Sequence, residues 1–274
     1  MVVQHNLTAM NSKRMLGITT NTQAKQTERL SSGYRINRAA DDAAGLSVSE
    51  KMRRQIRGLD QASTNAQDGV SLVQAAEGAL NEVTDMLQRM NVLSVQASNG
   101  TYTSTQKGYM SDEINQLISE IDRVATTTKF NDQKVLSSQG TYSFQIGNEK
   151  DETMTVTISD MHASKLNGNL SKQDWKTNST YATSSGFINT VKAALETVAS
   201  QRSALGAVQN RLEHTINNLD NIVENTTAAE SRIRDTDMAD AMVTYSNNQI
   251  LAQAGQAMLA QANQVNQGVL SLLQ

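Results

Sequence analysis

Asp41 and Asp42 are adjacent in the run SSGYRINRAADDAAGLSVSEKMRRQIRGL, residues 31 to 59, which also carries five arginines and three glycines. Two carboxylates beside so much positive charge could form a general acid and base pair, a phosphate grip or a set of reciprocal ion pairs. Catalysis is disfavoured because neighbouring positions on a helix do not face each other and no nucleophile or oxyanion loop is readable nearby. Phosphate binding needs a tight glycine loop, and neither GxxxxGK[ST] nor GxGxxG occurs. Nucleic acid is disfavoured too: between Ser31 and Asp60, six basic side chains are opposed by four acidic ones. Mixed signs at close quarters suit contacts between copies of one surface.

The other groups capable of chemistry are sparse. His5, His162 and His214 are far apart, with no spacing that would assemble a metal ligand set. Zero cysteine removes disulfides, thiolate metal sites and thiol catalysis. No cofactor, metal or catalytic residue is expected.

The elements that must position these residues are helical. The chain has 274 residues, 38% hydrophobic and 19% charged, but only 4% aromatic, with twelve methionines and no proline. Aromatic side chains supply much of the volume of compact cores, so this composition suits thin helical bundles and an elongated molecule. The net charge of −3 gives no overall attraction to nucleic acid or an anionic membrane, and no apolar run is long enough to span a bilayer. The start of the sequence lacks the pattern of a cleavable secretory signal.

Apolar residues spaced alternately three and four apart predict three long helices. The first stripe is Leu72, Ala76, Ala79, Val83, Met86, Met90, Leu93 and Ala97. After a polar loop at 99–107, a second holds Met110, Ile114, Leu117, Ile121 and Val124, and predicts an antiparallel return. A third runs from Phe187 to about Thr226. Between them TYSFQI and TMTVTI alternate with period two around a polar GNEKDE turn, which predicts a β-hairpin over 141–158. Residues 159–185 are Ser/Thr/Asn-rich and predict an exposed tip with little regular structure.

The two ends carry thinner stripes. Leu251, Gly255, Met258, Ala262, Val265, Val269 and Leu272 are flanked mostly by Gln, Asn and Ala, and Val3, Leu7 and Met10 form a partial match. Small side chains at such a seam each contribute about 1 kcal/mol or less, against an ordering cost of about 1–2 kcal/mol per residue. The ends are therefore expected to pair with each other and to stay loose, before about Ala44 and after about Ala239, until something covers them.

Several blocks, in this order, resemble the bacterial flagellins: LSSGYRINRAADDAAGLSVSEKMRRQIRGL, QDGVSLVQAAEGALNEVTDMLQRM, EIDRVATTTKFNDQKVL, QRSALGAVQNRLEHTINNL, TAAESRIRDTDMADAM and QAMLAQANQVNQGVLSLLQ. The resemblance spans nearly the whole chain except about 159–185. It implies a mainly α fold, an elongated antiparallel helical bundle and coiled coil with a small β-hairpin region. Residues 1–44 and 240–274 would pair as a terminal coiled coil lining a filament's inner tube. A linker or spoke would lie at about 34–58, and a rod at 45–239 would carry the hairpin and an outward variable segment at 159–185.

By the same resemblance Arg35, Arg38, Asp41, Asp42, Arg53 and Arg57, with Leu251, Met258, Val265, Val269 and Leu272, would serve self-assembly. The implied partners are many copies of the chain, an export chaperone at the C-terminal helix, and hook-associated and cap proteins. A Toll-like receptor would meet Arg89, Leu93 and Glu113, the first two sharing a helix face. Nucleic acid and membrane insertion are not implied. The implied place is the extracellular filament, reached without a cleavable signal. The sequence departs from the family pattern at Asn91 and Val92, which replace an Arg-Glu pair, at Gln274, and in lacking a C-terminal proline. Two other readings stand: a hook-filament junction protein, and a flagellin-like protease, which would need an HExxH helix where this chain has only His162 in SDMHASK.

Overall fold

A computed structural model describes residues 6–166, 170–176 and 181–272, the last stretch as backbone only at 181–183 and 265–272. The described residues form five helices, α1 (Leu7–Ser32), α2 (Ala43–Ala97), α3 (Ser104–Thr127), α4 (Tyr181–Arg234) and α5 (Met238–Leu272). Four strands make two antiparallel hairpins, β1 (Lys129–Phe130) with β2 (Gln133–Lys134) and β3 (Gly140–Gln145) with β4 (Thr153–Ile158). The chain divides into two compact units. One comprises Met1–Ile56 with Glu224–Gln274 and the other Arg57–Val223. The expected terminal boundaries, Ala44 and Ala239, fall at helix starts, whereas the compact units divide within α2 and α4.

The central unit, 57–223, is organised by two seams. On α2 the buried positions 59, 62, 66, 69, 73, 76, 80, 83, 87, 90, 94 and 97 step three and four without a break. On α4 positions 184, 187, 191, 194, 198, 205, 212 and 219 are buried, with 201, 208 and 215 filling the same register half-buried. A 3.5-residue period of this kind keeps one helix face against its partners.

The expected α2 stripe is displaced by one residue at two places. Leu80 and Leu87 are fully buried, while Ala79 and Met86 sit partly buried at its edge. The same slip separates Ile118 and Ala125 from the expected Leu117 and Val124 on α3. In each case a neighbouring apolar residue of equal or better fit lies one position along.

Helix ends follow local chemistry. Thr103 and Gln106 form a reciprocal capping box that starts α3 three residues earlier than the expected loop end at Lys107. The turn between β1 and β2 places Asn131 and Asp132 at φ 48° and 61°, the left-handed pair that a two-residue hairpin loop requires and that Asn and Asp tolerate. The β3–β4 hairpin pairs Thr141 with Thr157 and Phe144 with Met154. Met154, Val156 and Ile158 are buried while the threonines between them face water. Gly69 admits this packing: a Cβ there would lie 3.3 Å from both Leu212 and Phe144.

The segment after β4 differs from expectation. Its described residues have no helix or strand before α4, which starts at Tyr181 instead of Phe187, but they are not an exposed tip. Met161, Ala163, Leu166, Leu170 and Trp175 are buried in the central core. Trp175 meets Phe187 edge to face with centroids 6.0 Å apart. Polar side chains hold the backbone down: Asp122 accepts from Ala163 N at 2.9 Å, and Asn115 both accepts from Gln173 N and donates to its carbonyl at 2.8 Å. The physical reason is that scattered apolar residues in a polar run still seek cover, and α3 supplies the hydrogen-bond partners for the irregular backbone. His162 belongs to this anchoring, with Nδ1 2.5 Å from Asp160 and Nε2 3.3 Å from Thr126 Oγ1. Burial raises the Asp160 carboxyl, but the hydrogen bonds from the His162 ring and backbone, with Lys165 nearby, outweigh it and hold it below the usual carboxylate range.

Candidate functional site

Most of the sequence-predicted assembly residues fall on two features of the terminal unit, a hinge at 33–42 and a helix pair formed by α1 and α5; Arg53 and Arg57 lie on α2. The hinge begins where Gly33 adopts φ 76° and closes α1 by donating its N–H to Arg29 O at 2.8 Å. Tyr34 then forms a single antiparallel bridge with Asp235, at the break between α4 and α5. Arg35 N donates to Arg234 O at 2.7 Å, Thr236 N donates to Gly33 O at 3.0 Å, and the Arg35 guanidinium donates to Ile233 O at 2.6 Å. Ile36 is fully buried beside this bridge.

The two aspartates that invited a catalytic reading cap backbone instead. Asp41 accepts from the N–H groups of Arg38 at 3.0 Å and Asn37 at 3.3 Å. The Arg38 N–H holds its carboxyl below the usual range against the opposing effect of desolvation, assisted by Asn37, Lys25 and Arg29. Asp42 accepts from Gly45 N at 2.9 Å at the start of α2. Arg38 pairs with Glu28 at 2.9 Å, and Arg53 with Glu50 at 3.3 Å. Arg57 is exposed and lies in the central unit. Thus Arg35, Arg38, Arg53, Asp41 and Asp42 already have intramolecular partners.

One residue at the centre of the hinge carried no signal in periodicity. Arg234 stacks its guanidinium 4.4 Å from the Tyr34 ring centroid, and its Nη1 lies 3.2 Å from Glu50 and 3.9 Å from Glu230. Its side chain is 13% exposed, which makes these contacts stronger than those of the open surface. The available sequence signal was local: an arginine in the last turn of a helix followed by Asp235, which accepts from Ser231 Oγ at 2.6 Å.

The helix pair is the second feature. Asn6 caps α1 by accepting from Ala9 N, and its amide donates to Ala262 O at 2.9 Å, tying the helices together. Leu251 and Met258 of the expected stripe line a groove with Met15, Leu16 and Gly255, where a Cβ on Gly255 would stand 3.3 Å from Leu16. Val3 and His5 lie outside the described residues, as do the side chains of Val265, Val269 and Leu272. The pairing leaves much apolar surface uncovered. No residue of α1 is buried, and Leu7, Met10, Ile18, Ile250, Leu251 and Met258 are each more than half exposed.

The three expected receptor residues are not presented together. Arg89 and Glu113 form an exposed ion pair between α2 and α3, with both Nε and Nη2 at 2.8 Å from Oε1. Leu93 is 2% exposed and belongs to the core, beside the seam residue Ser94, while Arg89 one turn earlier holds its guanidinium outside in the ion pair. Among the described residues no three His, Asp or Glu side chains gather as a metal site, and no helix is long and apolar enough to cross a membrane.

A helical core closed by buried seams, with chain ends paired but left apolar outside, defines a structural subunit. Residues 3–141 match the bacterial flagellin N-terminal helical region and residues 188–273 the bacterial flagellin C-terminal helical region. The chain is 52% identical over 274 residues to a flagellin of Halalkalibacterium halodurans and 47% identical over 305 aligned positions to a flagellin of Bacillus subtilis, each alignment covering all of both chains. It is 46% identical to the flagellar filament 31.3 kDa core protein of Treponema maltophilum, again end to end. The crystal structure of Bacillus cereus flagellin, 29% identical, superposes with a TM-score of 0.51 over 57% of this chain and 88% of that one. The chain belongs to the bacterial flagellin family. It is a structural subunit of the extracellular flagellar filament, associates with copies of itself and is not an enzyme.

Proposed function

We propose that the terminal unit is the polymerisation element of this subunit and that the α1 and α5 faces gain their full order only when neighbouring copies cover them. The observation that carries this reading is that α1 buries none of its 26 residues while displaying Leu7, Met10, Met15 and Ile18. Apolar surface of this extent without cover favours association, and ordering that is coupled to burial makes association steep in concentration. The loop held by Arg35, Asp41, Asp42 and Arg234 ties the start of α2 to the end of α4 and shapes the lattice contacts of Arg38 and Arg53, with Arg57 beyond it on α2. Before assembly the stripe through Leu251 and Met258 is the surface an export chaperone takes. Hook-associated and cap proteins meet the same faces at the ends of the polymer. The Toll-like receptor surface, on this geometry, consists of Arg89 and Glu113 with the exposed Val92 and Val95, Leu93 acting from beneath by fixing the helix.

Amide hydrogen exchange of dilute monomer and of polymer tests the reading. Amides of α1 and α5 are expected to exchange in the monomer at rates near those of an unstructured chain and to become protected in the polymer, with the 57–223 core protected in both. Equal protection of α1 and α5 in monomer and polymer would refute it.

A further inference from the structure

The twelve methionines are divided unevenly by exposure. Met10 and Met15 on α1 and Met238, Met242 and Met258 on α5 are 48% to 62% exposed. Of the others described, Met90, Met154 and Met161 are buried and Met52, Met86 and Met110 half-buried. The exposed five all lie in the terminal unit. Met15 and Met258 line one groove, and Met238 and Met242, four residues apart, share a face at the start of α5.

A thioether suits such a face because it is apolar, flexible and polarisable, and packs against surfaces of varied shape. The same sulfur is a nucleophile towards peroxides. We infer that Met10, Met15, Met238, Met242 and Met258 are sites of reversible oxidation in the free subunit, and that their oxidation state governs whether it polymerises. The inference rests on the reading of the terminal faces as the polymerisation surface.

In the reaction a sulfur lone pair attacks one oxygen of hydrogen peroxide. The O–O bond breaks and the S–O bond forms, the sulfur loses two electrons, and the other oxygen leaves as water after proton transfer. The sulfoxide carries a strong acceptor oxygen into a surface that must be dehydrated; the groove around Met15 and Met258 has an apolar side of Leu16, Leu251, Ala254 and Gly255 and a polar side of Asn11, Ser12 and Thr19, and an oxygen turned to the apolar side finds no side-chain donor there. A methionine sulfoxide reductase with a thiol reverses the step: two thiols are oxidised to a disulfide, the thioether is regenerated and water is released. Once copies cover these faces, peroxide has no path to the sulfurs, so assembled subunits resist oxidation.

The experiment treats full-length monomer with dilute hydrogen peroxide, maps oxygen addition by peptide mass spectrometry and follows seeded polymerisation by light scattering and electron microscopy. The five terminal-unit methionines are expected to oxidise before Met90, Met154 and Met161. The critical concentration is expected to rise about tenfold or more, and reductase with dithiothreitol to restore it. The same treatment of polymer is expected to leave the five sulfurs unmodified. A variant with all five replaced by leucine should polymerise alike before and after peroxide. Should that variant fold poorly, repair of oxidised wild type tests the same point: polymerisation that stays lost after the sulfoxides are reduced would overturn the inference. Oxidised monomer that polymerises like untreated monomer, or oxidation that begins in the central core, would overturn it as well. Untreated monomer that never polymerises would instead overturn the polymerisation reading on which it rests.

Discussion

Helices α3 and α1 are of similar length, 24 and 26 residues, but α3 buries seven residues and α1 none. Both have apolar residues near helical spacing, so the contrast does not lie in periodicity alone. The difference is what each can reach. Helix α3 packs into a core with α2, α4, the β3–β4 hairpin and the 161–175 segment, whereas α1 is given α5, whose covered side is built mostly from small residues, Ala241, Ala252, Gly255 and Ala262, with Leu259. A stripe is thus a promise of burial whose fulfilment depends on the partners available. In the central unit one copy supplies them all.

The largest effect that would break this contrast comes from matched truncations. Leu80→Ala, at a fully buried seam position, is expected to destabilise the central unit by about 2–5 kcal/mol, seen as a lowered main transition in calorimetry. Leu251→Ala, at a position 57% exposed, should leave that transition within about 0.5 kcal/mol and weaken polymerisation measured by sedimentation. Similar thermal shifts for both would mean that the terminal helices are part of one cooperative core.

A smaller effect is expected at the hinge. Arg234→Ala removes the stacking on Tyr34 and leaves Glu50 without that partner, so the amides of Arg35 and Thr236 should exchange about tenfold faster while those of the α2 seam keep their protection. Unchanged exchange at Arg35 and Thr236 would show that the backbone bridge needs no side-chain support.

The smallest effect concerns pH. The Asp41 carboxyl is held below its ordinary range by the Arg38 N–H, so its contribution to loop order is present above about pH 4, the unfolded value, and is lost as pH falls through the lower folded value. The Arg38 amide resonance should therefore titrate on acidification in the wild type and stay flat in Asp41→Asn over the same window. An identical titration in the variant would assign the effect to another carboxylate.

Much of the central unit was legible because helix and hairpin periods are local properties. Thr153 to Ile158 reads as a strand at sight and is one. The seam on α2 was legible only from Leu72 onward, although it starts at Leu59, because Ser63, Gly69 and Ser94 lie on or beside it and do not register as apolar. Ser94 is accepted there because its hydroxyl donates to Met90 O at 2.6 Å within the same helix. Burial of the 161–175 segment was hidden for the converse reason: its few apolar residues have no period, and their cover comes from α3 and α4, outside the segment itself. Arg234 could not be singled out among neighbouring arginines because its role is set by Tyr34, about 200 positions away in the sequence. In the opening motif, charge was legible but its use was not. Whether an aspartate caps a backbone or faces another molecule depends on the turn it occupies, and AADDAAG states the residues without the turn.

The bond from Asn6 to Ala262 closes a ring of 256 positions. Bringing together ends separated by that length carries an entropic cost that grows with the logarithm of the ring, and such distant contacts are formed late compared with neighbouring hairpins. The ring cannot close while either end is still in transit or held elsewhere, yet the central unit needs neither end to complete its own contacts. On the reading proposed above, this topology lets the middle finish first and leaves an open clasp, whose closure would be both the last act of folding and the first act of joining the polymer.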